Sequence, residues 1–135
     1  MRLEHIGIAV DDIEQALATF EALLGEAPYK TEEVPSEHVI THFFDVEGTK
    51  IELLESTEPE SVIARFIERR GAGVHHLAFQ VDDLEAVRKT MEEKGFRVLG
   101  GSIRDGADGK RVLFLHPRDT AGVLIEYCAA ARSGE

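Results

Sequence analysis

A chain of 135 residues is one domain's worth, long enough to bury a core without disulfides or a structural metal. Twenty-six acidic side chains against fifteen lysines and arginines give a formal charge of −11, which opposes nucleic-acid backbones and anionic membranes and sets aside a role on either. The single cysteine, Cys128, cannot form an internal disulfide. Met1 leads into an apolar strand with no basic-then-apolar leader and no long hydrophobic span, so a cytoplasmic location is expected.

Along the chain, Leu3 to Val10 alternates Ile6, Ile8 and Val10 with His5, Gly7 and Ala9. This is a strand with one bulky apolar face and one small face that begins with histidine. Asp11 and Asp12 provide a helix cap, after which Ile13, Ala16, Leu17, Phe20, Leu23 and Leu24 recur at helical spacing until Gly25. Strands follow at roughly 28–34, 39–46 and 49–55, with Glu47-Gly48 as the hairpin signal between the last two. Pro59 to Arg70 reads as a connecting helix with Pro59 in its first turn, ended by Gly71-Ala72-Gly73. The plan then repeats: strand 74–81, cap at Asp82-Asp83, helix to about 94, strand near 96–100, a glycine-rich loop 100–109, and strands 111–116 and 122–128. The expected organisation is one domain over 1–135, with a first β-α-β-β-β module at 1–56, a connecting helix at 57–73, a second module at 74–130 and a tail at 131–135.

The repetition extends to the residues themselves. His5-Ile-Gly-Ile-Ala-Val-Asp-Asp-Ile-Glu returns 71 residues later as His76-Leu-Ala-Phe-Gln-Val-Asp-Asp-Leu-Glu. The last strand of each module carries a carboxylate in an apolar run, Glu52 and Glu126. His5 and Glu52 are 47 residues apart and His76 and Glu126 are 50 apart, so the pairs match save for a three-residue insertion. A carboxylate between Ile51 and Leu53, or between Ile125 and Tyr127, is rare in a buried strand unless paired or coordinated. A lone strand histidine is usually a satisfied core or surface residue, and recurrence reverses that reading. Two imidazoles and two carboxylates suit a divalent ion such as zinc, nickel, cobalt, manganese or iron. His75 points to the other face by strand alternation and is left out. Asp11, Asp12, Asp82 and Asp83 are explained by capping, His38 and His42 read as surface residues, and Cys128 as a small buried filler. His116, before Pro117, suits a loop-orienting role or a ligand contact.

The runs His5-Ile-Gly-Ile-Ala-Val, Thr49-Lys-Ile-Glu-Leu-Leu-Glu, Ile63-Ala-Arg-Phe-Ile, His75-His76-Leu-Ala-Phe, Phe114-Leu-His-Pro and Gly122-Val-Leu-Ile-Glu resemble the methylmalonyl-CoA epimerases of the vicinal oxygen chelate superfamily. The His and Glu pattern alone is shared with glyoxalase I. The resemblance implies an α+β fold of two tandem β-α-β-β-β modules in a cupped, mixed, eight-stranded sheet around a metal site, with helices outside. It carries His5, Glu52, His76 and Glu126 over as metal positions, with cobalt favoured, and implies a homodimer acting on an acyl-CoA. The implied reaction is epimerisation at C2 of methylmalonyl-CoA through an enolate chelated by the metal, with Glu126 as one proton carrier. The family's second glutamate falls on Thr41, which cannot act as a base. Glu52 ranks first as its substitute, ahead of Glu37, His42 or an ordered water. Coenzyme A carries phosphates, for which Arg104, Lys110, Arg111, Arg118 and His116 are the available contacts late in the chain.

Other chemistries fit parts of the same pattern. A glyoxalase I would use the four residues on a glutathione hemithioacetal. An extradiol dioxygenase would want iron with two histidines and one carboxylate, which Glu52 counts against. A non-catalytic binding module would not be expected to keep the full ligand set. The motifs outside the metal site place epimerase first.

Overall fold

The computed structural model describes residues 1–131; residues 132–135, which include most of the expected tail, lie outside the described residues. The chain forms two compact units, His5–His75 on one hand and Met1–Glu4 with the chain from His76 onward on the other. Among the described residues, no helix is long and apolar enough to cross a membrane.

In the His5–His75 unit, strand β1 (Arg2–Val10) enters the fold, and helix α1 (Ile13–Leu24), strands β2 (Lys30–Val34), β3 (Val39–Val46) and β4 (Thr49–Ser56), and helix α2 (Val62–Arg70) follow. The strands lie in the order β2-β3-β4-β1, antiparallel except for the parallel β1–β4 pair. Helix α1 begins where the Asp12 carboxylate accepts a hydrogen bond from the Gln15 amide and ends on Gly25 in the left-handed region, as the two signals imply. Its apolar stripe, Ile13, Ala16, Leu17, Phe20 and Leu24, covers Val10, Phe44 and Leu53. Glu47 and Gly48 turn the β3–β4 hairpin with positive φ at both positions, which matches the twist of the flanking strands.

The connecting helix starts later than the sequence suggests. Ser61, not the region of Pro59, is the cap: its hydroxyl accepts from the Ala64 amide and is anchored 2.6 Å from the Ser56 hydroxyl. The surface that helix α2 packs against is not signalled by its periodicity. Ile63, Phe66 and Ile67 lie against Ala9, Val39 and Leu54, the side chains on the face opposite the one α1 covers. The small face of β1 is therefore closed at its far end by a helix, and only its beginning remains for other purposes.

The second unit repeats the plan with strand β5 (Gly73–Gln80), helix α3 (Leu84–Glu93), and strands β6 (Arg104–Asp105), β7 (Lys110–Leu115) and β8 (Leu124–Ala130). Their order is β5-β8-β7-β6, with β5 and β8 parallel. Asp83 caps α3 as Asp12 caps α1. Leu84, Leu113, Leu115 and Ala129 form the core under α3, and a fully buried leucine is worth about 1.5–3 kcal/mol. The strand expected near 96–100 is reduced to one isolated bridge, Val98 to Leu115, because Gly100 and Gly101 take left-handed conformations. Pairing resumes at Arg104–Asp105, inside what reads as loop.

The three-residue insertion falls in the β7–β8 connection. His5 to Phe43 and His76 to Phe114 are both 38 residues, so the copies stay in step until the end of their third strands. Where the first module has a two-residue hairpin, the second has a 3-10 turn at Pro117–Asp119. Arg97 locks that turn: its backbone amide and Nε reach Asp119 Oδ2 at 2.9 and 3.0 Å, and Nη2 reaches Oδ1 at 2.9 Å.

Those hydrogen bonds from Arg97 hold the Asp119 carboxyl at about 2, below its ordinary 3.8. The unfolded chain therefore binds a proton at Asp119 before the native one does, and stability falls as pH drops from about 4 through 2. Asp119→Asn is expected to be less stable than the parent at neutral pH and to lose that deficit across this window. Urea denaturation at a series of pH values measures it, and a deficit independent of pH down to 2 would contradict the lock.

Candidate metal and ligand site

Backbone register decides which side chains share a face, and it gathers the repeated residues in the same way in each unit. In the first, Glu52 is the direct neighbour of Gly7 on the parallel strand, so it faces with His5, Gly7 and Ala9. Glu52 Oε2 lies 3.2 Å from His5 Nδ1, with both side chains under a tenth exposed. In the second, Glu126 is the direct neighbour of Ala78, which puts it on the face of His76. Glu126 Oε1 lies 3.4 Å from His76 Nε2, again with both side chains under a tenth exposed. A small residue, Gly7 or Ala78, stands across from each carboxylate and leaves it room.

A phenylalanine completes each row. Phe43 is directly across from Glu52 on the antiparallel side and Phe114 is directly across from Glu126. The Phe114 ring stands edge-on to His76, with centres 6.1 Å apart at 87°. The common spacing of 38 residues from the histidine was the sequence signal for these two rings, and strand periodicity alone does not raise it. Glu4, 1% exposed and beside His5 in the chain, is a further buried carboxylate that alternation did not single out.

As donors, each pair offers one ring nitrogen and one carboxylate oxygen, the borderline and hard ligands that divalent transition ions accept. Burial makes such a pair costly unless its charge is met, and the donor chemistry fits a divalent ion.

The other sequence candidates separate by face. Lys110 and Phe114 alternate onto the Glu126 face of β7, and Arg104 lies with its guanidinium 5.3 Å from the Phe114 ring centre. Arg111 turns the opposite way, toward α3, where Nη2 pairs with Glu85, so it does not join the other cations. His116 Nδ1 accepts the Arg118 amide at 3.2 Å and caps the turn at Pro117. Cys128 is fully buried, a core filler with its thiol 3.7 Å from the Phe79 carbonyl.

His42 corrects the surface reading made for it. It is 9% exposed and lies on the α1-covered face of β3, where Nδ1 is 3.2 Å from the Thr31 hydroxyl and Nε2 is 3.1 Å from Glu55 Oε1. It is therefore turned away from Glu52 and cannot serve there as a base. His38 is exposed, as expected, in the left-handed region beside Glu58. Thr41, 2% exposed, does face with Glu52, directly across from Leu54 and Glu32. His75 is occupied in packing: its ring meets Phe66 edge-on at 4.9 Å, and burial pushes its imidazole down to about 4.

His42→Ala leaves Glu55 and Thr31 without that partner, and a loss of about 1–3 kcal/mol in urea denaturation is expected with divalent-ion uptake unchanged. Loss of ion uptake by a folded variant would put His42 back among the site residues.

Residues 4–114 match the profile of the Glyoxalase/Bleomycin resistance protein/Dioxygenase superfamily. The chain is 43% identical over 127 residues to the ethylmalonyl-CoA/methylmalonyl-CoA epimerase of Cereibacter sphaeroides, covering 93% of this chain and 95% of that one. The crystal structure of methylmalonyl-CoA epimerase from Mycobacterium tuberculosis matches with a TM-score of 0.89 and 33% identity, over 97% of this chain and 89% of that one. A Streptomyces coelicolor methylmalonyl-CoA epimerase variant in complex with 2-nitronate-propionyl-CoA matches with a TM-score of 0.89 and 34% identity, over 97% and 95%. With the fold common to these proteins and an imidazole–carboxylate pair repeated in both modules, the chain belongs to the methylmalonyl-CoA epimerase family of the glyoxalase superfamily.

Proposed function

We propose that the chain epimerises methylmalonyl-CoA at C2, with His5, Glu52, His76 and Glu126 as ligands of one divalent ion. The observation that carries this reading is the burial of a carboxylate against an imidazole at the same place in both copies of a duplicated module, in a chain 43% identical to an ethylmalonyl-CoA/methylmalonyl-CoA epimerase. Cobalt is the first ion to try.

The C2 proton lies alpha to a thioester and a carboxylate, and its loss places negative charge on the thioester oxygen. When bound, a divalent ion supplies Lewis-acid stabilisation of that charge. Glu126 takes the proton through a carboxylate oxygen whose place is fixed by strand pairing to Ala78 and Phe114. Its 5% exposure keeps bulk water from the proton while it is held. Inversion requires a second carrier on the other face of C2. Thr41 cannot act and His42 is turned away, so Glu52 is assigned that role. Lys110 is assigned to a phosphate of coenzyme A, and the active form is a cytoplasmic homodimer.

Deuterium incorporation at C2 of methylmalonyl-CoA in heavy water tests the reading. Exchange is expected to stop with chelator and return with added cobalt. Glu126→Gln is expected to lower it by about 10²–10⁴-fold, and Glu52→Gln to depress it strongly while ion binding persists. Full exchange by Glu52→Gln would remove Glu52 as the second carrier. Absence of exchange in the parent, with turnover of methylglyoxal and glutathione, would move the chain to the glyoxalase I reaction.

The shared shell has its own test, independent of activity. If one ion is held by both pairs, His5→Ala and His76→Ala each abolish stoichiometric cobalt uptake, with affinity down by more than about 100-fold in competition with a chromophoric chelator. Retention of uptake by either variant would mean that the pairs act separately.

A further inference from the structure

On the face of the first unit's sheet opposite Glu52, one side chain from each of three neighbouring strands stands in a row. Thr31 of β2 is directly across from His42 of β3, and its hydroxyl lies 3.2 Å from His42 Nδ1. Glu55 of β4 holds the other ring nitrogen, with Oε1 3.1 Å from Nε2. A carboxylate only accepts, so the proton of the neutral ring belongs on Nε2 and the Nδ1 lone pair faces the hydroxyl. The row runs outward from the interior. The His42 side chain is 11% exposed and that of Glu55 30%, while Thr31 is exposed on a strand that pairs, among the described residues, with β3 alone. Any donor and acceptor would satisfy a buried imidazole, but here the donor is a nucleophile at the surface. Strand register and the restricted χ1 of a β-branched residue hold it against its base. The outer edge of β2 presents backbone N–H groups that no strand takes, which are donors for the oxyanion formed when a carbonyl is attacked.

We propose that Thr31 and His42, positioned by Glu55, form a second catalytic site that takes an acyl group from a small activated ester and passes it to water. Thr31 Oγ1 attacks the carbonyl carbon while its proton moves to His42 Nδ1. The bond from that carbon to the leaving oxygen then breaks, and the leaving group takes the proton from Nδ1. An ester on Thr31 remains. Water gives a proton to Nδ1 as it attacks this ester, the proton passes on to Thr31 Oγ1, and a carboxylic acid departs. Glu55 keeps the ring in the tautomer that accepts from Thr31 and stabilises the imidazolium formed in each half. Neither step needs a metal ion or an oxidant, so the site works independently of the ion assigned to His5, Glu52, His76 and Glu126.

The test mixes the full-length chain, with and without chelator, with p-nitrophenyl acetate, follows nitrophenolate release and locates the acetyl group by mass spectrometry. A burst of release followed by steady turnover is expected, with acetyl on Thr31 and no effect of chelator. Thr31→Val keeps the β-branched shape and is expected to abolish both phases, whereas Thr31→Ser keeps them. Glu55→Gln can turn an amide N–H toward Nε2 and so leave the ring proton on Nδ1. It is expected to slow the burst by about 10²–10⁴-fold with the half-saturating ester concentration unchanged. Equal thermal midpoints establish that each variant is folded. Acetylation of the parent at lysines alone, release undiminished in Thr31→Val, or an acetyl group on Thr31 that water does not clear would each overturn the proposal. Release that stops with chelator would overturn it too.

Discussion

A carboxylate at 5% exposure in a β-strand is the constraint around which each half of this molecule is arranged. Removing such a charge from water costs several kcal/mol unless hydrogen bonds and an opposite charge offset it. In both modules a histidine within 3.4 Å meets that demand, while a glycine or alanine directly across on one side and a phenylalanine directly across on the other shape the space around the carboxylate. The small residue leaves space and the aromatic one excludes water. The parallel pairing of the first and last strands of each module is what brings histidine and glutamate to one face. Helices α1 and α3 cover the opposite face, so their apolar stripes are free of any chemical duty.

The two buried imidazole–carboxylate pairs were legible in the sequence because duplication prints them twice. His5 alone, or Glu52 alone, carries no more weight than any strand residue of its type. The basic side chains were not legible in the same way. Lys110 and Arg111 are adjacent, and which of them faces Glu126 depends on a register set in a glycine-rich stretch where the period of two is broken. The structure puts Lys110 on the Glu126 face and pairs Arg111 with Glu85. His42 misled for a related reason: its polarity suggested the surface, while its cross-strand neighbours Thr31 and Leu53 place it under α1. Partner groups from separate strands, such as Glu55, are invisible to a reading that moves along one segment at a time.

Helix α2 shows a different limit. Its apolar face was clear from Val62, Ile63, Phe66 and Ile67, but periodicity names a buried face without naming what it is buried against. It lies on Ala9, Leu54 and Val39, the continuation of the surface that begins at His5 and Glu52. The first module is thereby covered beyond His5 and Glu52, and its aromatic residue Phe43, beside Tyr29 and Lys30, is fully buried. The second module keeps Phe114 partly open. The two copies share the imidazole–carboxylate pair and differ in the access to the ring beside it.

The β7–β8 connection adds a second difference between the copies. Its extra residues lie beyond Phe114 and before Leu124, so the spacing that aligns the histidine with its aromatic neighbour is untouched. Arg97 ties the turn to the chain leaving α3, which lets the connection lengthen without loosening the strands it joins. A surface connection of this kind tolerates changes of length and sequence better than the strands it joins, so the register that sets Glu126 beside His76 does not depend on what the turn contains.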